Sequence, residues 1–441
     1  MSTVVAPASL ARELREICGP GYVIDDPAKL EAASILGVTP ALAVEPATAE
    51  EVAAILRLAN ERGLNVVPAG GCTQQQAGAV PPPIDVLLYT HRLTAIEHYD
   101  PGDLTVGIGA GFRVAKLCDM VGASGLLFAG DPPAHELATV GGMLASGLIG
   151  PRRHGYGGLR DYCIGVKFVT GDGRTGKGGG RVVKNVAGYD MMKLLIGSWG
   201  TLAVITGASF KLFPLAPQRR TFIAEFSTVA DAIEYRSRVL RSPLSPMCLE
   251  LVSPDAAAFL PGDDRSNAWS IYVRAAGSDV VLARYRSELG KAIGREVEGD
   301  DESALWRALA DFPRTLSLRY PHSLLLALSL PPAEVRTAVQ DLESIAGHNR
   351  VQLAVMGRVG IGQMLVALWA VPASPAALAA AASAFCTTLG KDSSVAVLQC
   401  PDPLRPQISA WNKTPTHRRS MQAVKRALDP KDILNRGRFV L

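Results

Sequence analysis

GGGRVVKNVAGYDMMKLLIGSWGTLAVITGASFKLFP, residues 178–214, opens on a run of glycines and closes on two apolar, strand-like stretches that end at Pro214. Just upstream, DYCIGVKFVTGDGRT (residues 161–175) predicts a β-hairpin that turns at Gly171, Asp172 and Gly173. Two further glycine clusters precede it. The first is PAGGCTQQQAG, residues 68–78, entered from the short apolar run LNVV. A strand that delivers the chain into consecutive small residues aims several backbone N–H groups into one concavity, and such a nest binds phosphate without a cationic side chain. Gly70 and Gly71 allow close approach and positive φ, and Thr73 can add a hydroxyl donor. An ordinary glycine turn gives the same local pattern. The stretch is neither G-x-G-x-x-G nor G-x-x-x-x-G-K-[ST], which disfavours NAD-type and P-loop sites.

The second cluster is DPPAHELATVGGMLASGLIGPRRHGYGGLRDYCIG, residues 131–165. Thr139, Gly141, Gly142, Ser146, Gly147 and Gly150 are small or hydroxylic, with apolar residues between them. Each glycine costs a helix interior about 1 kcal/mol relative to alanine, so the pattern speaks for backbone pressed against a ligand rather than for a helix. Arg152, Arg153, His154 and Arg160 follow. They offer charge to an anion, or form a solvated face.

Working outward, residues 8–18 predict a short helix, and TAEEVAAILRLANERG (48–63) a longer one, with a Thr48/Glu51 capping box and a terminal Gly63. Strands and helices alternate up to residue 130, as in an α/β or α+β domain. After LAPQRR (215–220), read as a linker, strand, helix and strand recur, which predicts a second domain with an antiparallel sheet and helices on one face. The Ala-rich stretch 376–389 reads as a packed helix. Composition agrees with a globular chain of two or three units: 441 residues, 48% hydrophobic, net charge +4. No basic run or basic–aromatic motif calls for a nucleic acid. The seven cysteines are scattered without a C-x-x-C pair, so zinc and iron–sulfur spacings are absent and a reducing compartment is expected. Neither a secretion signal nor a transmembrane helix is expected, which makes the expected location cytoplasmic.

Taken in order, PAGGCT, TVGG, KNVAGYD and GTLAVIT resemble the p-cresol methylhydroxylase (PCMH)-type FAD-binding family, which includes vanillyl-alcohol oxidase and the D-2-hydroxyacid dehydrogenases. The wording GGMLASGLIGPRR, RDYCIG and VVKNVAGYD is most similar to the E-type subunits of bacterial glycolate oxidases. The resemblance is strong over residues 66–214, returns at DPKDILNRGRF (429–439) and is faint between. It implies an α+β fold: a two-subdomain PCMH-type FAD-binding domain over residues 1–216, an α+β cap domain with an antiparallel sheet over 217–400, and a C-terminal segment, 401–441, that returns to the FAD domain.

The same resemblance implies FAD as cofactor. Ala69, Gly70, Gly71, Cys72 and Thr73 would line its pyrophosphate, with Gly78 closing the loop. Thr139, Gly141, Gly142 and Ser146 would run along the pyrophosphate and ribitol, accompanied by Pro132, Pro133 and Gly147. The backbone at Val204 and Ile205 would meet the adenine, and Lys184, Asn185, Gly188 and Tyr189 would approach the isoalloxazine. No histidine stands in the phosphate loop, a usual point of covalent attachment, so FAD is expected to be non-covalent. Cys72 replaces the family's third glycine and is expected to be buried and inert, with its side chain pointing away from the phosphates.

Relatives that oxidise D-2-hydroxy acids carry G-H-x-G-D-G-N-x-H in the second domain, where two histidines help to hold a metal. The corresponding stretch here is MGRVGIGQMLV (356–366), with Arg358 and Gln363 but no histidine, so no metal site is expected. Arg358 is expected in a salt bridge, the alternative being a substrate carboxylate. No catalytic set stands out; Arg152, His154 and Tyr189 are the candidates near the flavin. The resemblance implies an FAD-binding subunit of a glycolate oxidase, assisting oxidation of glycolate, a small 2-hydroxy acid, to glyoxylate. Its implied partners are a D-type flavoprotein subunit and an iron–sulfur F-type subunit, with electrons passed to a membrane acceptor and the complex peripheral on the inner face of the cell membrane. Two alternatives stay open: a stand-alone FAD-dependent oxidoreductase of another alcohol or hydroxy acid, and a flavin-free scaffold that only binds partners.

Overall fold

The computed structural model describes residues 8–180, 189–262, 267–411 and 417–439. They form two compact units. One comprises the described residues of 1–148, 158–214 and 414–441; the other comprises those of 149–157 and 215–413.

The first unit holds two sheets. In the smaller, the strands Val23–Ile24, Leu42–Val44, Val86–Tyr89 and Val66–Ala69 lie side by side, the last three parallel. Parallel pairing needs a crossover, and the helix Ala49–Arg62 supplies one. Its start is set by Thr48, whose hydroxyl accepts from the Glu51 amide, and its stop by Gly63 in the left-handed region. The Glu51 carboxylate reaches back to the amide of Ala47, one residue beyond the usual capping box. Val52, Ile55, Leu56 and Ala59 face the sheet and join Val44, Val66 and Leu88 in a buried core.

The larger sheet is antiparallel, in the order Ile96–Asp100, Thr105–Gly109, Ala203–Lys211, Cys163–Thr170 and Thr175–Gly179. The last two strands are the predicted hairpin. Ala203–Lys211 pairs with Thr105–Gly109 only from Gly207 onward, so Ala203, Val204 and Ile205 keep one backbone edge off that ladder.

The C-terminal segment is threaded into this unit by one carboxylate. Asp429 is buried, accepts from the amides of Ile433 and Leu434, and pairs with Lys425 at 2.6 Å. The turn so formed lays Leu434 beside Val66 as a parallel bridge, with Val66 N–H donating to Ile433 O and Asn435 N–H to Val66 O. Pro68, lacking an N–H, is the next residue facing this edge and leaves no donor unpaired there.

The second unit is built on eight antiparallel strands, in the order Ile293–Glu298, Gln218–Phe226, Trp269–Gly277, Cys248–Val252, Gln352–Arg358, Gln363–Trp369, Leu324–Ser329 and Ser394–Gln399. Residues 218–220, expected as linker, are the first residues of its second strand. One face carries Phe222, Leu249, Leu251, Ile271 and Val273, packed under the helices Val229–Arg241, Val335–Asn349 and Pro375–Thr388. Helices on one face alone were expected, but the long helix Gly299–Arg319 meets the opposite face. There Glu302 takes a bidentate pair from Arg274 at 2.7 and 2.9 Å, and Trp306 donates to Thr221. Strand alternation explains this: Thr221 precedes the core residue Phe222 and Arg274 stands between Val273 and Ala275, so both point away from the apolar layer.

Candidate cofactor site

The strand Val66–Ala69 runs into a loop at the rim of a groove in the first unit. Its walls are Pro68 to Gln75, Thr90, Thr139, Gly141, Gly142, Ala145, Ser146, Trp199, Gly200, Ala203 to Ile205, and Asn435 with Arg438. Among the described residues, the backbone amides of Gly70, Gly71, Cys72, Thr73, Gln74 and Gln75 donate to no protein acceptor, and all six residues line the groove. A row of unpaired amides is costly unless water or a ligand accepts from it, and an anion is the acceptor such a row favours.

The second glycine cluster works differently. It is helical from Val140 to Ser146, contrary to the expectation drawn from its glycines. The hydroxyl of Thr139 caps Gly142, while the amides of Val140 and Gly141 donate to Phe112 O and Ala110 O. Gly141 is required because a Cβ there would come within 2.8 Å of the Ala110 methyl. Gly142 would meet only the Thr139 hydroxyl, at 3.2 Å, so its bare face is open along the groove. Gly70 and Gly71 are fixed from the same side: a side chain at either would overlap the Thr139 hydroxyl or the Leu137 carbonyl. Those two glycines therefore answer to the protein's own packing, whereas Gly142 turns a bare face to the groove.

Of the residues singled out from the sequence, Ala69, Gly70, Gly71, Cys72, Thr73, Thr139, Gly141, Gly142, Ser146, Val204 and Ile205 meet in this groove. Gly78, Pro132, Pro133 and Gly147 are not on its walls. Gly78, at φ +82, packs against Arg438, and Gly147, at φ +68, ends the helix Val140–Ser146. Lys184, Asn185 and Gly188 lie outside the described residues. Tyr189 belongs to the first unit and is 90% exposed.

Arg152 and His154 sit on the strap 149–157 that groups with the second unit. Burial lowers the His154 pKa, and its imidazole packs against Gly360. Arg358, expected in a salt bridge, instead donates to the carbonyls of Ile149 and Gly150 and thereby holds this strap; it makes no carboxylate pair among the described residues. Cys72, expected buried, is solvent-exposed at φ +55, the conformation the replaced glycine would adopt without strain. The surrounding protein nonetheless pushes its thiol pKa up, against the pull of Arg113.

Sequence reasoning missed Thr90, Trp199, Gly200, Asn435 and Arg438. The last two had a signal in DPKDILNRGRF, but nothing in the residues themselves showed that Asp429 folds that segment against the loop. Six open amides, the cation of Arg438 and the bare face at Gly142 suit the diphosphate of a dinucleotide with a flat group lying alongside.

Comparison with known proteins agrees. Residues 40–178 match the model of an FAD binding domain, and residues 215–393 and 407–439 match that of the C-terminal domain of FAD linked oxidases. The D-lactate dehydrogenase of Archaeoglobus fulgidus is 40% identical over 48% of this chain and 47% of its own length. The glycolate oxidase subunit GlcD of Bacillus subtilis is 26% identical over 74% of this chain and 72% of its own. The glycolate oxidase subunit GlcE of Escherichia coli is 36% identical over 36% of this chain and 45% of its own. The chain thus spans about half the length of the first and third of these relatives. Among solved structures, p-cresol methylhydroxylase with substrate bound has a TM-score of 0.78 at 17% identity, covering 98% of this chain and 96% of that one, which shows a shared fold. The chain belongs to the FAD-linked oxidase family, with a PCMH-type FAD-binding fold and FAD as its cofactor.

Proposed function

We propose that this chain is an FAD-dependent oxidoreductase of the hydroxy-acid dehydrogenase type, acting as the FAD-binding subunit of a glycolate oxidase complex. The observation that carries the reading is the row of open amides from Gly70 to Gln75, a diphosphate cradle with no other evident use. FAD, held there non-covalently, supplies the two-electron acceptor for conversion of a 2-hydroxy acid to the 2-oxo acid, a loss of two electrons and two protons. The chain's own part is to bind and orient: amides to the diphosphate, Gly142 and Ser146 along the chain between diphosphate and ring, and the open backbone edge of Ala203, Val204 and Ile205 to the adenine.

An accessory rather than self-sufficient role is supported by the hairpin of Gln352–Arg358 and Gln363–Trp369. Arg358 is engaged with the carbonyls of Ile149 and Gly150, and Gln363 stands opposite it. Among the described residues, no group of three His, Cys, Asp or Glu side chains gathers to hold a metal ion. The proposed partners are a D-type flavoprotein subunit and an iron–sulfur subunit that carries electrons to a membrane acceptor. Among the described residues no helix is long and apolar enough to cross a membrane, so the proposed association with the membrane runs through those partners.

A second reading, a self-sufficient dehydrogenase, draws on the 40% identity to the D-lactate dehydrogenase. Turnover of glycolate or D-lactate with an artificial acceptor separates the two. The purified full chain is expected to carry flavin yet be inactive alone, and to gain activity when its partners are co-expressed. Turnover by the lone chain overturns the accessory role; failure of the stripped chain to take up FAD overturns the whole reading.

A further inference from the structure

Arg438 lies far along the chain from the phosphate loop but at its side in space. Among the described residues that line the groove it is the one with a charged side chain; neither Asp nor Glu is on those walls. The residue is 4% exposed. Its guanidinium donates from one terminal nitrogen to Gln75 O at 3.0 Å and from the other to Ala79 O at 3.2 Å, and Gly78 packs directly against it. It is held there by the turn that Asp429 folds and by Asn435, which donates from its backbone to Val66 O and from its side chain to Trp199 O at 2.6 Å.

We infer that Arg438 is a cofactor-binding residue of the diphosphate site: its cation offsets the two negative charges there, while its planar fork fixes the loop that presents the amides. This rests on the FAD reading above. The physical case has two parts. A fork that bonds two carbonyls of one loop sets the loop's curvature, which lysine cannot reproduce with a single point charge. A guanidinium on the groove wall also adds positive potential at the loop, and that contribution strengthens in the low-dielectric surroundings of a buried group. Binding of a dianion is thereby favoured beyond what neutral amides provide.

The test uses the full chain stripped of flavin, with ADP, FAD and riboflavin as probes. Arg438→Met is expected to raise the dissociation constants of ADP and FAD together by about tenfold or more, the scale of a hydrogen-bonded charge. Riboflavin, which has no phosphate, is expected to bind unchanged. Arg438→Lys is expected to recover at least half of the lost ADP affinity on a logarithmic scale, because the charge returns without the fork. Unchanged ADP binding in Arg438→Met overturns the inference, as does a lysine variant no better than methionine, or an equal loss for riboflavin. Should Arg438→Met fail to fold, judged by thermal unfolding of the stripped chain, Arg438→Lys decides alone: ADP affinity within about tenfold of the parent upholds the charge, and a larger loss sinks it. If the parent chain itself binds neither FAD nor ADP, it is the FAD reading that falls.

Discussion

The two glycine clusters of the first unit look alike in sequence and do opposite things. In the loop from Pro68 to Gly78, the glycines are dictated by the protein's own contacts while the backbone amides are left open. In the segment from Thr139 to Ser146, the amides are capped and the open feature is the bare Cα face of Gly142. One cluster contributes donors, the other contributes room. Glycine count alone cannot separate these uses, because the distinction lies in which backbone groups already have partners.

The largest effect that would break this contrast comes from behind the loop. Asp429→Ala removes a buried carboxylate that joins Lys425 to two backbone amides, and is expected to cost about 3–5 kcal/mol in unfolding free energy. Hydrogen exchange is expected to quicken in the loop and in Ile433 and Leu434, and to leave the helix Val140–Ser146 as it was. Equal loosening of both would show that the two clusters are not held independently.

Next come the glycines themselves. Gly71→Ala drives a methyl into the Leu137 carbonyl and is expected to cost about 1–3 kcal/mol, together with loss of FAD binding. Gly142→Ala should behave with opposite signs in the two measurements. Relief of a helix-interior glycine is expected to raise the stability of the stripped chain by about 0.5–1 kcal/mol, while a methyl on the groove wall weakens FAD at least tenfold. A Gly142→Ala variant that binds FAD normally would remove the assigned role of that face.

How much of this was legible beforehand depends on the kind of signal. Thr48, Glu51 and Gly63 mark a helix through local chemistry, and the hairpin at Gly171 to Gly173 does the same. The loop and the Thr139 cluster, which the structure brings to one groove, could be grouped beforehand because four motifs stood in a recognisable order. The helix at Val140 was not legible, since its Gly141 is dictated by Ala110, just past the strand Thr105–Gly109, and not by anything in its own segment. Arg358 was misjudged for a related reason: its partners are main-chain carbonyls of residues 149 and 150, which have no signature in sequence. Arg438 was missed because its place depends on the Asp429 turn, a long-range consequence of a single buried carboxylate.

Cys72 offers the smallest and sharpest probe. It holds a left-handed conformation that costs a side-chain-bearing residue about 1–2 kcal/mol, so Cys72→Gly is expected to relieve strain. The flexibility glycine adds to the unfolded chain offsets roughly half of that, leaving a gain below about 1 kcal/mol and FAD affinity no worse than the parent's. The thiol's chemistry gives an independent readout. Although the residue is exposed, the protein crowded around the loop partly desolvates its sulfur and raises the pKa above the ordinary thiol value, and the nearby Arg113 only partly counters this. The sign is therefore clear: thiolate is scarcer than in a free cysteine at neutral pH and grows only as pH climbs past 9. Alkylation of Cys72 in the stripped chain should be slow at pH 7, accelerate with a midpoint above the ordinary thiol's, and be suppressed by FAD. Cys72→Ser identifies the signal against Cys18, Cys163 and Cys400, whose burial pushes them to about 11, about 12 and about 11. A midpoint below the ordinary thiol value would mean that Arg113 dominates the loop's electrostatics, and the loop would then owe its anion affinity to side-chain charge more than to its open amides.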